Sequence, residues 1–188
     1  LTLIQSLRGW WLRQLSFPAQ DRALYRAVWN SGPTRLLDIG VSNLQRAVRL
    51  IELAKLKNPL ASIEFVGISL FEAARCLGKR SSSLKEVYQQ MRRLNVVARL
   101  IPGTILPGLQ TLADLNLKVD FVLIAGPHDC AELLQAWPSL MRLLDEKSQV
   151  WVHGDIEGRG TGKGFKRLSI EEIQARAFCA TEPTRCAA

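Results

Sequence analysis

An α/β domain, built on a mainly parallel sheet with helices against both faces, is the fold class this sequence predicts, and three observations predict it. The run Val119-Asp120-Phe121-Val122-Leu123-Ile124 stops abruptly at Ala125-Gly126-Pro127-His128. An apolar run bounded by turn residues reads as a strand buried on both faces, as a covered parallel sheet requires. From Arg35 onward, short apolar runs alternate with patterns of helical period, which gives successive β-α units and a doubly wound three-layer sandwich. No internal repeat or linker divides the 188 residues, so residues 35–180 read as one domain and residues 1–34 as an N-terminal helical extension.

In the extension, Leu1, Leu3, Ile4, Leu7, Trp11, Leu12 and Leu15 recur near helical spacing, interrupted by Arg8 and Arg13. That pattern predicts an amphipathic helix docked on the domain, with a membrane-surface helix as the alternative. It lacks the uninterrupted apolar core of a secretory signal. Leu36–Gly40 is the first strand, and Leu44, Ala47, Val48, Ile51 and Ala54 mark one face of a helix ending near Asn58-Pro59. Ile63–Ile68 is the second strand. Ser83 and Glu86 have capping-box spacing and open a helix whose apolar face is Leu84, Val87, Tyr88, Met91 and Leu94. Val97–Ile101 is a third strand closed by Pro102-Gly103, and Leu106–Leu115 a short helix before the fourth strand, Val119–Ile124. Asp129 and Glu132 repeat the capping-box spacing before a helix over Cys130–Leu144, with Pro138 inside it. Gln149–His153 is the fifth strand. The glycines of 158–164 form a loop, and Ser169 with Glu172 caps a last helix to about Phe178.

Composition narrows the setting. Hydrophobic residues make up 47% and charged residues 22% of the chain, with no apolar run long enough for a membrane span. The net charge of +8 admits nucleic acid or another anionic partner. The basic residues are scattered, however, without interleaved aromatic platforms. Cys76, Cys130, Cys179 and Cys186 have no paired spacing, which predicts reduced thiols and a cytoplasmic location.

Parallel α/β sheets bind ligands beyond the carboxyl ends of their strands. The first such turn, Asp38-Ile39-Gly40-Val41-Ser42-Asn43-Leu44, enters a helix N-terminus that can receive an anionic or polar group. An ordinary turn capped by Ser42 or Asn43 accounts for the same residues. His128 and His153 end the fourth and fifth strands, where an imidazole suits general-base work. Asp129 and Asp155 could join them, but the spacing matches no metal site, and none is predicted. The 158–164 stretch lacks the glycine and hydroxyl positions of a phosphate-binding Walker loop and reads as a solvated loop or a mobile basic lid.

Taken in order, Leu36–Gly40, Gly67–Glu72, Pro102-Gly103-Thr104, Ile124–His128 and Val152–Asp155 resemble the motifs of class I S-adenosylmethionine (SAM)-dependent methyltransferases. The fourth segment is most similar to the small-molecule O-methyltransferase branch, whose pattern is Ile-Asp-Gly-x-His. The resemblance spans about two thirds of the chain, Arg35 to Asp155, and implies a Rossmann-like methyltransferase fold, SAM as cofactor, a small-molecule acceptor and the possibility of a homo-oligomer. It implies a cofactor site at Asp38, Gly40, Ser42, Ser69, Glu72, Thr104 and Ala125, with His128 and His153 as candidate bases. This chain departs from the family at Ser42 and Leu44, which replace glycines, and at Ser69, Thr104 and Ala125, which replace acidic residues. Glu72 is the nearest substitute for the ribose carboxylate. Without a substitute, cofactor affinity falls about ten- to a hundredfold, the equivalent of one charged hydrogen bond. The family's seven strands would be reduced to about five here, shortened at the C-terminus. These departures favour an alternative, a non-catalytic binding or scaffold protein of the same fold, and the charge admits an RNA-directed protein.

Overall fold

Alternation of apolar runs with helical stretches produces five parallel strands: β1 (Arg35–Ile39), β2 (Glu64–Ser69), β3 (Val97–Pro102), β4 (Phe121–Ile124) and β5 (Gln149–His153). A sixth strand, β6 (Phe165–Leu168), pairs antiparallel with β5. The sheet order is β3-β2-β1-β4-β5-β6. The computed structural model describes residues 3–41, 43–73, 82–125, 130–154 and 164–181, and the sheet among them has one strand more than the five read from the sequence. Phe165-Lys166-Arg167-Leu168 hid this strand, because two adjacent cations break the period-2 pattern and an edge strand needs only one paired side.

Helices α1 (Leu3–Gln14), α2 (Arg22–Ser31), α3 (Leu44–Lys57) and α4 (Leu84–Arg93) lie on one face, and α5 (Ile105–Asp114), α6 (Cys130–Leu143) and α7 (Ile170–Thr181) on the other. Strand residues divide between the faces by period 2. Leu37, Ile39, Val122, Ile124, Val150 and Val152 join the α5–α7 core, while Leu36, Phe121, Leu123 and the partly buried Trp151 join the α1–α4 core. Asp38, between Leu37 and Ile39, therefore faces α1–α4.

Two of the three expected capping boxes form among the described residues. Ser83 and Glu86 exchange hydrogen bonds at the start of α4, as do Ser169 and Glu172 at α7. Glu132 instead accepts from Leu106 N–H, linking α6 to α5, while Asp129 lies outside the described residues. Gly108 lets α5 approach β2: a Cβ there would stand 2.7 Å from Ile68 Cγ2. Cys179 is disulfide-bonded, so the expectation of reduced thiols does not extend to this residue.

Candidate functional site

The strand tips are level. Ile101, Ile68, Ile39, Ile124 and Val152 pair successively across five strands. One step further, Gly40 N–H donates to Ile68 O (2.7 Å), Ala125 N–H to Ile39 O (3.1 Å) and Gly103 N–H to Ser69 O (3.0 Å). The described residues that follow these strands, Gly40, Gly103 and Ala125, therefore lie at one end of the sheet. Gly40 adopts φ 77°, a left-handed conformation that a side chain disfavours. Asn43 then caps α3, its side-chain oxygen accepting from Arg46 N–H at 3.1 Å. Of the two caps the sequence allowed, Asn43 is used; Ser42 lies outside the described residues, as do His128, Asp155 and all of 158–164 except Gly164.

Beneath this turn sits a buried charged cluster. Asp38 is 5% exposed, and its Oδ1 has no hydrogen-bond partner among the described residues. Burial pushes its carboxyl up from the ordinary 3.8 to about 7, and the nearby Arg46 guanidinium only partly opposes the rise. Arg46, in the first turn of α3, pairs with fully buried Asp21 at 3.3 Å, close enough for Coulomb attraction but not aligned as a hydrogen bond. Tyr25 donates to Asp21 Oδ2 at 3.5 Å, and burial raises its phenol above the ordinary value.

Asp21 and Arg46 were not identified from sequence. The available signal was a cation in a helix's first turn, where the macrodipole disfavours it unless an acid compensates.

The remaining candidates occupy different surroundings. Ser69, at the end of β2, accepts from Phe71 N–H at 3.4 Å. Glu72 is engaged elsewhere: its Oε1 accepts from Leu84 N–H at 2.9 Å, at the N-terminus of α4. Thr104 is exposed and precedes α5 without a side-chain cap bond. Ala125 is buried beside Ile39. His153 ends β5 half-buried, its ring 4.8 Å from that of Phe165 on β6 at 58°. Phe165 also lies under the Arg46 guanidinium, 4.9 Å from its ring centre. This ring connects His153 to the Arg46–Asp21 pair, a link supplied by the strand missed in the sequence. Among the described residues, no group of three or more His, Cys, Asp and Glu is arranged to hold a metal.

The mainly parallel order 3-2-1-4-5, extended by an antiparallel edge strand and covered by helices on both faces, is a Rossmann-like fold of the class I SAM-dependent methyltransferase type. Among solved structures, the chain is similar to an O-methyltransferase from Bacillus cereus in complex with SAH, at 14% identity and TM-score 0.56, covering 97% of this chain and 76% of that one. It is similar to the O-methyltransferase TomG from Streptomyces achromogenes, involved in tomaymycin synthesis and solved with SAM, at 13% identity and TM-score 0.55, covering 100% and 80%. A SAH-bound methyltransferase from Podospora anserina matches at 14% identity and TM-score 0.53, over 96% and 75%. No family model and no curated protein matches the sequence.

Proposed function

We propose that this chain is a SAM-dependent methyltransferase that acts on a small-molecule acceptor. The observation that carries the proposal is the level row of strand tips opening beside the Gly40 turn, with buried Asp38 beneath it. The residues fit the cofactor at this end, because the Asp38 carboxyl carries an oxygen with no hydrogen-bond partner among the described residues and a Cβ at Gly103 would meet open space. At the ribose end, Ser69 replaces a carboxylate and Glu72 is held by α4.

When bound, SAM supplies an electrophilic methyl group. This chain's residues position and desolvate the reactants: Gly40 permits close backbone approach, and the strand ends at Ser69, Gly103 and Ala125 form the floor. In this reading His153 takes the proton of an acceptor hydroxyl on an imidazole nitrogen. The second reading, a non-catalytic protein of the same fold, is favoured by the engagement of Glu72 at α4. Calorimetric titration with SAM and with its demethylated product separates the two. Saturable binding supports the enzyme, and no binding at millimolar ligand rejects it.

A further inference from the structure

Among the described side chains of helix α1, Leu12 packs into the core, while Leu7, Trp10 and Trp11 face solvent. Its contact surface is formed by Gly9, Leu12 and, just beyond the helix, Ser16, all buried. A Cβ at Gly9 would lie 3.4 Å from Trp29 and 3.7 Å from Leu56, so this small residue lets α1 lie close on α2 and α3. The opposite side carries the large residues. Leu7, Trp10, Trp11 and Leu15 are between 44% and 57% exposed, and Phe17 is 82% exposed. Single exposed apolar side chains are ordinary, but Trp10 and Trp11 follow Leu7 at spacings of three and four residues and Leu15 follows Trp11 at four, with Phe17 just beyond, and such a ridge marks a docking surface. Of the apolar residues in the pattern read from the sequence, Leu12 docks α1 on the domain as expected, while Leu7, Trp11 and Leu15 face solvent.

Charge selects the occupant. Residues 1–20 contain Arg8 and Arg13 and no Asp or Glu. Arg22 donates to Ser16 O, and Arg26 to Arg13 O and Gln14 Oε1, which holds two further guanidinium groups beside the ridge. On the Arg8 side, the ridge borders an open 460 Å³ cleft where Arg8, Lys55 and Arg93 meet. A neighbouring 840 Å³ cleft shares Lys55 and adds Arg92. Glu52, the acid in this lining, is ion-paired with Arg8 at 2.8 Å. Tryptophan, leucine and phenylalanine flanked by arginine match a helix lying in the headgroup layer of an anionic bilayer. A second copy of the chain would instead bring arginines against arginines.

We infer that the chain docks peripherally on an anionic lipid surface through Leu7, Trp10, Trp11, Leu15 and Phe17, with lipid phosphates meeting Arg26 and Arg93. Among the described residues, no helix is long and apolar enough to cross a membrane, so this contact lies in the interface. The docking is independent of methyl transfer and stands without it.

The test mixes the full chain with vesicles of phosphatidylcholine, alone or with phosphatidylserine. Sedimentation reads the bound fraction, and brominated lipid reads tryptophan quenching. Binding is expected to be at least about tenfold tighter with phosphatidylserine and to weaken with salt. The variant Trp10→Ser/Trp11→Ser, altered only at outward positions, should keep its thermal transition and lose at least about tenfold in binding. Phe17→Ser, outside the helix, provides the same readout independently. No pelleting, equal binding to both vesicle types, or unchanged binding by both variants would overturn the inference. So would a dimer abolished by the double variant without any vesicle binding, which would assign the ridge to a second copy.

Discussion

Replacing Asp38 with Asn should stabilise the protein at pH 8 and leave it nearly unchanged near pH 4. The folded protein keeps a proton on Asp38 up to about pH 7, whereas the unfolded chain releases it near 3.8. Between those values the unfolded state binds fewer protons, so stability falls as pH rises and levels off above pH 7. The full displacement corresponds to about 4 kcal/mol, and relaxation around the site reduces the expected gain to about 2 kcal/mol. Urea unfolding of both proteins from pH 4 to 8 measures it as the difference between two curves, in which groups common to both cancel. A difference that stays constant across this range would refute the buried-acid reasoning. A difference that grows with pH would show that the carboxylate is kept at a stability cost, as expected of a binding group.

Arg46→Met should destabilise by about 3–5 kcal/mol by leaving Asp21 buried without its cation, and adding Asp21→Asn should recover most of that loss in a double-mutant cycle followed by urea unfolding. Gly108→Ala should lower stability by about 1–2 kcal/mol, because the new Cβ meets the branched end of buried Ile68, outweighing the gain in helix propensity; thermal unfolding checks it. Glu72→Gln retains an acceptor for Leu84 N–H and should change SAM affinity by less than about threefold. A ten- to hundredfold loss, on the order of one charged hydrogen bond, would mean that Glu72 leaves α4 to hold the ribose.

Strands β1, β2 and β4 were legible because burial on both faces leaves a continuous apolar signal, and Gln149–His153 coincides with the expected strand. The α4 capping box was legible because it is a local exchange between residues three apart. β6 was not, since its pairing depends on β5 rather than on its own pattern. The direction of α1 was also hidden. Periodicity identifies two sides of a helix, but Gly9 and Ser16 decide which side can come close. At the site, Gly40 and Asp38 could be read from the first turn, whereas the Asp21–Arg46 pair joins segments 25 residues apart and required the tertiary structure. The place of Glu72 was equally invisible, since only the fold brings Leu84 N–H to its carboxylate.

Calorimetric titration with SAM at pH 6 and pH 8 measures whether the proposed site over Asp38 holds the cofactor. Ionisation of a carboxyl near 7 predicts affinity about tenfold higher at pH 8. Asp38→Asn should bind more weakly and lose most of this dependence, which also controls for titration of the ligand. Absence of binding at millimolar SAM at both pH values would contradict the proposal.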